Sequence, residues 1–114
     1  MTRVILLAHP PGLVPGRWDI TKIDAAAACD LIVNASRGKR LLNRVTFDST
    51  LDVIYAVCGL SLKRFDSTDV GRKPVDLQPG DVVLSVLLNA RGKLKRTGSA
   101  LDSTDLDWYR IEIT

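Results

Sequence analysis

A chain of 114 residues, 46% hydrophobic and 25% charged, is long enough for one core without disulfide or metal staples and too short for two. That balance lies far from the low-hydrophobicity, high-charge regime of disorder, so residues 1–114 are expected to fold as a single domain. The net charge of +3 and the grouping of cations at Arg37, Lys39, Arg40 and Arg44, at Lys63, Arg64, Arg72 and Lys73, and at Arg91, Lys93, Lys95 and Arg96 fit an anionic partner. They equally fit solvated loops, because Gly38, Gly71 and Gly92 interrupt the three groups.

Val4 to Ala8 form a short, continuously apolar, branched run that suits a strand covered on both faces of a sheet. The run is too short for a signal-peptide core or a membrane span, which leads to the expectation of a cytoplasmic protein without a membrane partner. Pro10, Pro11, Gly12, Pro15 and Gly16 then break regular structure in a loop at the strand end, a common position for ligand contacts. "RWDITKID" alternates like an edge strand, and Asp24 can cap a helix through "AAAACDLIVNA" that ends near Ser36 and Gly38. "RLLNRVTF" reads as a further strand. From Ser49 or Thr50 the apolar positions Leu51, Ile54, Tyr55, Val57 and Cys58 recur at helical spacing, with Asp48 as N-cap, Asp52 at the positive end of the dipole and Gly59 as the stop.

A Pro-Gly-Asp turn leads into the strongly apolar run Val82 to Leu88, and a basic turn follows. "DLDWYRIEIT" alternates Trp108, Arg110 and Glu112 against Tyr109, Ile111 and Ile113, as a strand with one buried face would. About four or five strands with two main helices predict an α+β (mixed α/β) domain, a mixed central sheet flanked by helices. The triplet Asp-Ser-Thr recurs at 48–50, 66–68 and 102–104 with unlike flanks, which speaks for capping rather than for a repeat.

Little in the chain supports conventional active-site chemistry. Its single histidine, His9, has no G-x-S-x-G serine to activate, there is no Walker loop or GxGxxG, and Asp102, Asp105 and Asp107 fall in a polar stretch that reads as a solvated capping segment. Cys29 and Cys58 lie in apolar runs without metal-ligand spacing, so a reduced pair of buried thiols in a cytosolic chain is expected, with no metal and no cofactor. His9 stands out because it directly follows a buried strand and precedes the Pro-Pro-Gly loop.

The order "VILLAHPPGLVP", "ITKIDAAAAC", "FDSTLDVIYAVCG", "PGDVVLSVLLNARGKL" and "YRIEI" resembles the viral ring nuclease family, small type III anti-CRISPR proteins and their bacterial relatives. The specific segment is the central one, where the family reads roughly Gly-His-(Asp or Glu)-(Ser or Ala)-Thr and this chain has Thr46, Phe47, Asp48, Ser49 and Thr50, leading to Cys58-Gly59. The resemblance implies a homodimer that holds a cyclic oligonucleotide, cyclic tetra-adenylate foremost, at its two-fold interface. It also implies metal-free cleavage in which a ribose 2′-hydroxyl attacks and the motif histidine is the general acid. That histidine falls on Phe47. The ligand loop falls on Ala8, His9, Pro11 and Gly12, and the strand-end arginine near Asn89 or Arg91; Arg64, of the second basic group, is a further candidate ligand contact.

Phe47 has no proton to give a leaving oxygen, whereas the helix start at Asp48, Ser49 and Thr50 can still receive a phosphate, and an aromatic ring can stack on adenine. Three readings follow. The first is a binding module that sequesters a cyclic oligoadenylate and dampens defence signalling, in the host cytoplasm if the protein is viral. The second is an active ring nuclease with His9 as the catalytic acid. The third is a DNA-, RNA- or protein-binding domain that keeps only the fold.

Overall fold

Val4–Leu7, the first strand (β1), is buried along its whole length because it lies inside a sheet. The computed structural model describes residues 3–8, 18–45, 48–63, 77–95 and 101–113. β1 pairs in parallel with β3 (Leu41–Asn43) on one side and with β4 (Val82–Leu88) on the other. β5 (Leu106–Ile113) runs antiparallel to β4, and β2 (Trp18–Ile23) antiparallel to β5. The result is a five-stranded mixed sheet of order β2-β5-β4-β1-β3, the α+β architecture expected. β1 and most of β4 are unbroken apolar runs because both of their faces are covered.

The two main helices pack on one face. Val4, Leu6, Val82, Leu84, Val86, Leu106 and Trp108 meet Ala28, Ile32 and Ala35 of α1 (Ala25–Arg37) and Leu51 and Ile54 of α2 (Asp48–Cys58). The opposite face gathers Ile5, Leu7, Val83, Ile111 and Ile113 with Trp18, Leu42 and Leu77. β5 therefore contributes to both cores. The alternation had suggested one buried face with Trp108 on the other side, yet Trp108 is 2% exposed under the helices while Ile111 and Ile113 fill the opposite core. The reason is that β5 is an interior strand, flanked by β2 and β4.

Local signals act largely as expected. Asp24 caps α1, its Oδ1 accepting the Ala27 N–H at 2.8 Å. Gly59, at φ +69°, ends α2 with its N–H donated to the Tyr55 carbonyl at 2.8 Å. The start of α2 differs, since the helix already includes Asp48, which therefore sits in the first turn and is not the cap. Before β4, Gly80 takes φ +93° and Asp81 donates its N–H to the Gln78 carbonyl, the geometry Pro79-Gly80 favours. Arg3 grips the buried Asp81 through Nε at 3.2 Å and Nη2 at 2.6 Å, and the Gln78 N–H adds a third bond at 2.9 Å.

The cysteines are not the expected reduced thiols. Cys29 of α1 and Cys58 at the end of α2 form a disulfide, with Cα atoms 5.3 Å apart, within the span a bridge requires. Both side chains are only partly buried. Side-by-side packing of α1 and α2 on one face brings them together, and the inference to a cytosolic address drawn from free thiols loses its ground. A bridge spanning 29 residues stabilises by about 3.5 kcal/mol in the chain-entropy account. Thermal unfolding with and without dithiothreitol should therefore show a clear drop in Tm on reduction, and Cys29→Ser should reproduce it and be insensitive to the reductant.

Candidate functional site

The parallel strands β1 and β4 end side by side, and there a cleft of about 430 Å³ opens. Ligand sites of α/β sheets commonly lie outside the carboxyl ends of strands, and this volume falls in the range of small-molecule pockets. Val86, Leu87 and Leu88 of β4, Ala8 just after β1, and Leu101 form its apolar lining. Ser49 and Thr50 from the first turn of α2 and Lys93 from the end of α3 (Ala90–Lys93) supply the polar groups.

Each polar group is set there for a definable reason. The apolar stripe of α2 at Leu51 and Ile54 seats on the sheet, so its first turn, with amides that lack helical acceptors and the positive end of the dipole, is carried to the strand ends. Ser49 is exposed. Thr50 is 6% exposed and lines the cleft.

Lys93 owes its position to a lock between α3 and the 3₁₀ turn Ser103–Asp105. Asn89 caps α3 by accepting the Gly92 N–H at 3.0 Å and donates Nδ2 to the Thr104 carbonyl at 2.8 Å. Asp105, fully buried, accepts from Arg91 Nε at 3.2 Å, from the Asp102 N–H at 2.8 Å and from the Lys95 ammonium. Asp102 closes the capping box by accepting from the Thr104 N–H at 2.9 Å and from the Thr104 hydroxyl. Gly92 makes the approach possible, because a Cβ there would stand 2.5 Å from the Asp105 carbonyl oxygen. The Lys95 hydrogen bond, the Asp102 N–H and the charges of Lys95 and Arg91 hold the Asp105 carboxyl below the usual carboxylate range against the upward push of burial.

This fold has a counterpart among solved structures. B116 of Sulfolobus turreted icosahedral virus aligns with a TM-score of 0.74 over 98% of this chain and 99% of that chain, at 18% sequence identity. At that identity the likeness is one of fold. No protein-family model matches the sequence, and no curated protein does.

Of the residues singled out in the sequence, Ala8, Ser49 and Thr50 meet in the cleft, and Asp48 opens the same helix without lining it. Asn89 and Arg91 serve the α3 lock and are not among the lining residues. His9, Pro11, Gly12, Phe47 and Arg64 lie outside the described residues. Lys93 and the end of β4 were not foreseen as part of the site. The signal for Lys93 was its membership of the third basic group, where nothing set it apart from Arg91. Asp105 and Asp107 are not a solvated segment either, since Asp105 is buried in the capping box and Asp107 belongs to β5.

No helix among the described residues is long and apolar enough to cross a membrane. The lock gives the fold an acid-side dependence. For Asp81, burial raises the carboxyl but the Arg3 bond, the Gln78 N–H and the Arg3 charge outweigh it, while Asp102 is lowered by the Thr104 hydroxyl and N–H. With Asp81, Asp102 and Asp105 all lowered on folding, the unfolded chain binds more protons in acid. Their stabilisation is present above about pH 4, the ordinary Asp value, and drains as pH falls through the lower folded values. Denaturant midpoints should hold from pH 7 to 5 and decline below about 4. Asp105→Asn should be less stable at pH 7 and show a shallower decline in acid.

Proposed function

We propose that this chain binds a cyclic oligoadenylate-type second messenger, cyclic tetra-adenylate foremost, at a homodimer interface and dampens type III CRISPR or related defence signalling by sequestering it. The observation that carries the reading is the meeting of Ala8, Ser49 and Thr50, three positions the ring-nuclease resemblance singles out, in one cleft at the carboxyl ends of β1 and β4. Free amides and two hydroxyls at a helix start suit a phosphate, and the apolar lining suits a base. Tyr55 and Val57, exposed at 59% and 38% on α2, support a second copy against that helix, and a two-fold axis would give a symmetric ring two copies of the same cleft. The fold neighbour is a protein of a virus, in keeping with a role against host defence.

Sequestration follows from the chemistry of Phe47. Cleavage would have the 2′-hydroxyl attack the adjacent phosphorus while the P–O5′ bond breaks, leaving a 2′,3′-cyclic phosphate and a 5′-oxygen that must take up a proton. A phenyl ring has none to give, and loss of a general acid costs about 10²- to 10⁴-fold in rate. One observation favours the second reading, cleavage with His9 as the acid: its chain neighbour Ala8 lines the cleft. In that case the rate falls as pH rises through the ordinary imidazole range and His9→Ala abolishes turnover while affinity stays.

Calorimetry against a panel of cyclic oligonucleotides, paired with a cleavage assay on the same samples, tests the proposal. The expected outcome is tight binding of cyclic oligoadenylate without appreciable turnover, and some turnover in Phe47→His. Rapid wild-type cleavage that depends on His9 would select the second reading. Absence of binding to every ring would leave a nucleic-acid- or protein-binding domain.

A further inference from the structure

α2 is anchored unevenly along its length. Its first half carries the buried Thr50, Leu51, Val53 and Ile54, whereas Tyr55, Ala56 and Val57 in its second half are exposed. From Tyr55 to Gly59, Cys58 is the one side chain packed against the core among the described residues, and it is bonded to Cys29 of α1. A helix of 11 residues is too short to hold in water by itself. The order of its last turn therefore depends on tertiary contacts, foremost the bridge.

That bridge is within reach of solvent, since both cysteines are only partly buried, and accessible disulfides are the ones that thiol reductants open. The chain has only these two cysteines, so no alternative pairing competes within it and opening is reversible. Beside Cys58 lie Tyr55 and Val57, 59% and 38% exposed, the residues that the proposed function sets against a second copy.

We propose that the Cys29–Cys58 bridge is a reversible redox switch on the dimer face of α2. Oxidised, it holds residues 55–58 in the form a second copy meets; reduced by a dithiol, it releases that turn while the first half of α2 stays seated on the sheet. The inference names the regulation of the proposed site and rests on the homodimer of that reading. In the reduction, a reductant thiolate attacks one Sγ, the Sγ–Sγ bond breaks, and the other Sγ leaves as a thiolate that takes a proton. The reductant's second thiolate then attacks its own sulfur in the mixed disulfide and releases the first cysteine, which also takes a proton. The bridge thus gains two electrons and two protons, and the dithiol becomes a disulfide. A two-fold interface uses the same turn from both copies, so the loss of order counts twice. A turn ordered in about a third of the reduced chains weakens the dimer about tenfold.

The test follows the wild type with and without dithiothreitol, and a Cys29→Ser, Cys58→Ser double variant, by native amide hydrogen exchange and by sedimentation. On reduction, the amides of residues 55–59 should lose their protection while those of Val53, Ile54, β1 and β4 stay protected, the dimer should weaken about tenfold, and re-oxidation should restore both. The double variant should match the reduced state and ignore dithiothreitol; reduced wild type carries the test alone if that variant folds poorly. Protection lost everywhere together on reduction, or kept at residues 55–59, would overturn the inference. An oxidised dimer whose affinity reduction leaves unaltered would overturn it too and spare the homodimer. An oxidised protein that is monomeric, with residues 55–59 alone released on reduction, would uphold the release of the turn and defeat the homodimer reading.

Discussion

The parallel pairing of β1 with β4, in register from Val4 with Val82 to Leu7 with Ser85, is the constraint on which the rest of the molecule depends. Parallel neighbours cannot be joined by a tight turn, so the intervening chain must cross over and cover the sheet. α1 and α2 do this on one face, burying Ile32 and Ile54 completely. The same pairing brings two strand carboxyl ends together, and α2 docks with its first turn at that end. The cleft is thus a consequence of topology, and the disulfide between Cys29 and Cys58 holds the far end of α2 against α1.

Opposite α2, the wall of the cleft depends on a buried charge. Asp105 is removed from water entirely, which is expensive for a carboxylate unless cations and amides surround it. Arg91, Lys95 and the Asp102 N–H do so. Such an arrangement adds little net stability compared with a well-packed apolar one but tolerates few alternatives, because any slip of α3 would strand the charge. That intolerance serves positioning: α3 is only Ala90–Lys93, too short to stand without its cap and its lock.

What the sequence made legible was whatever has a local cause. The branched runs at Val4 and Val82, the Asp24 cap, the Gly59 stop and the Pro79-Gly80 turn all act through neighbouring residues, and the structure has each where the pattern indicated. What stayed hidden depends on distant partners. The pairing of Cys29 with Cys58 requires knowing that α1 and α2 are neighbours. The burial of Trp108 requires knowing that β5 is interior and covered on both sides. Asp105 reads as a soluble turn residue until Gly92 lets the 3₁₀ turn press against α3. In the site, Ser49 and Thr50 could be named from helix-start chemistry and the family motif. Lys93 could not, because four cations in one basic group look alike until Asp105 claims two of them.

The proposed function puts an oligoadenylate ligand at the carboxyl ends of β1 and β4 against the start of α2. Amide chemical-shift mapping of the labelled protein during titration with cyclic tetra-adenylate tests it most directly. Binding there gives the largest shifts at Ala8, Ser49, Thr50, Leu88 and Lys93, which line the cleft. Shifts concentrated on the edge strand β2 or on the exposed side of α1, with these five amides unmoved, would contradict it.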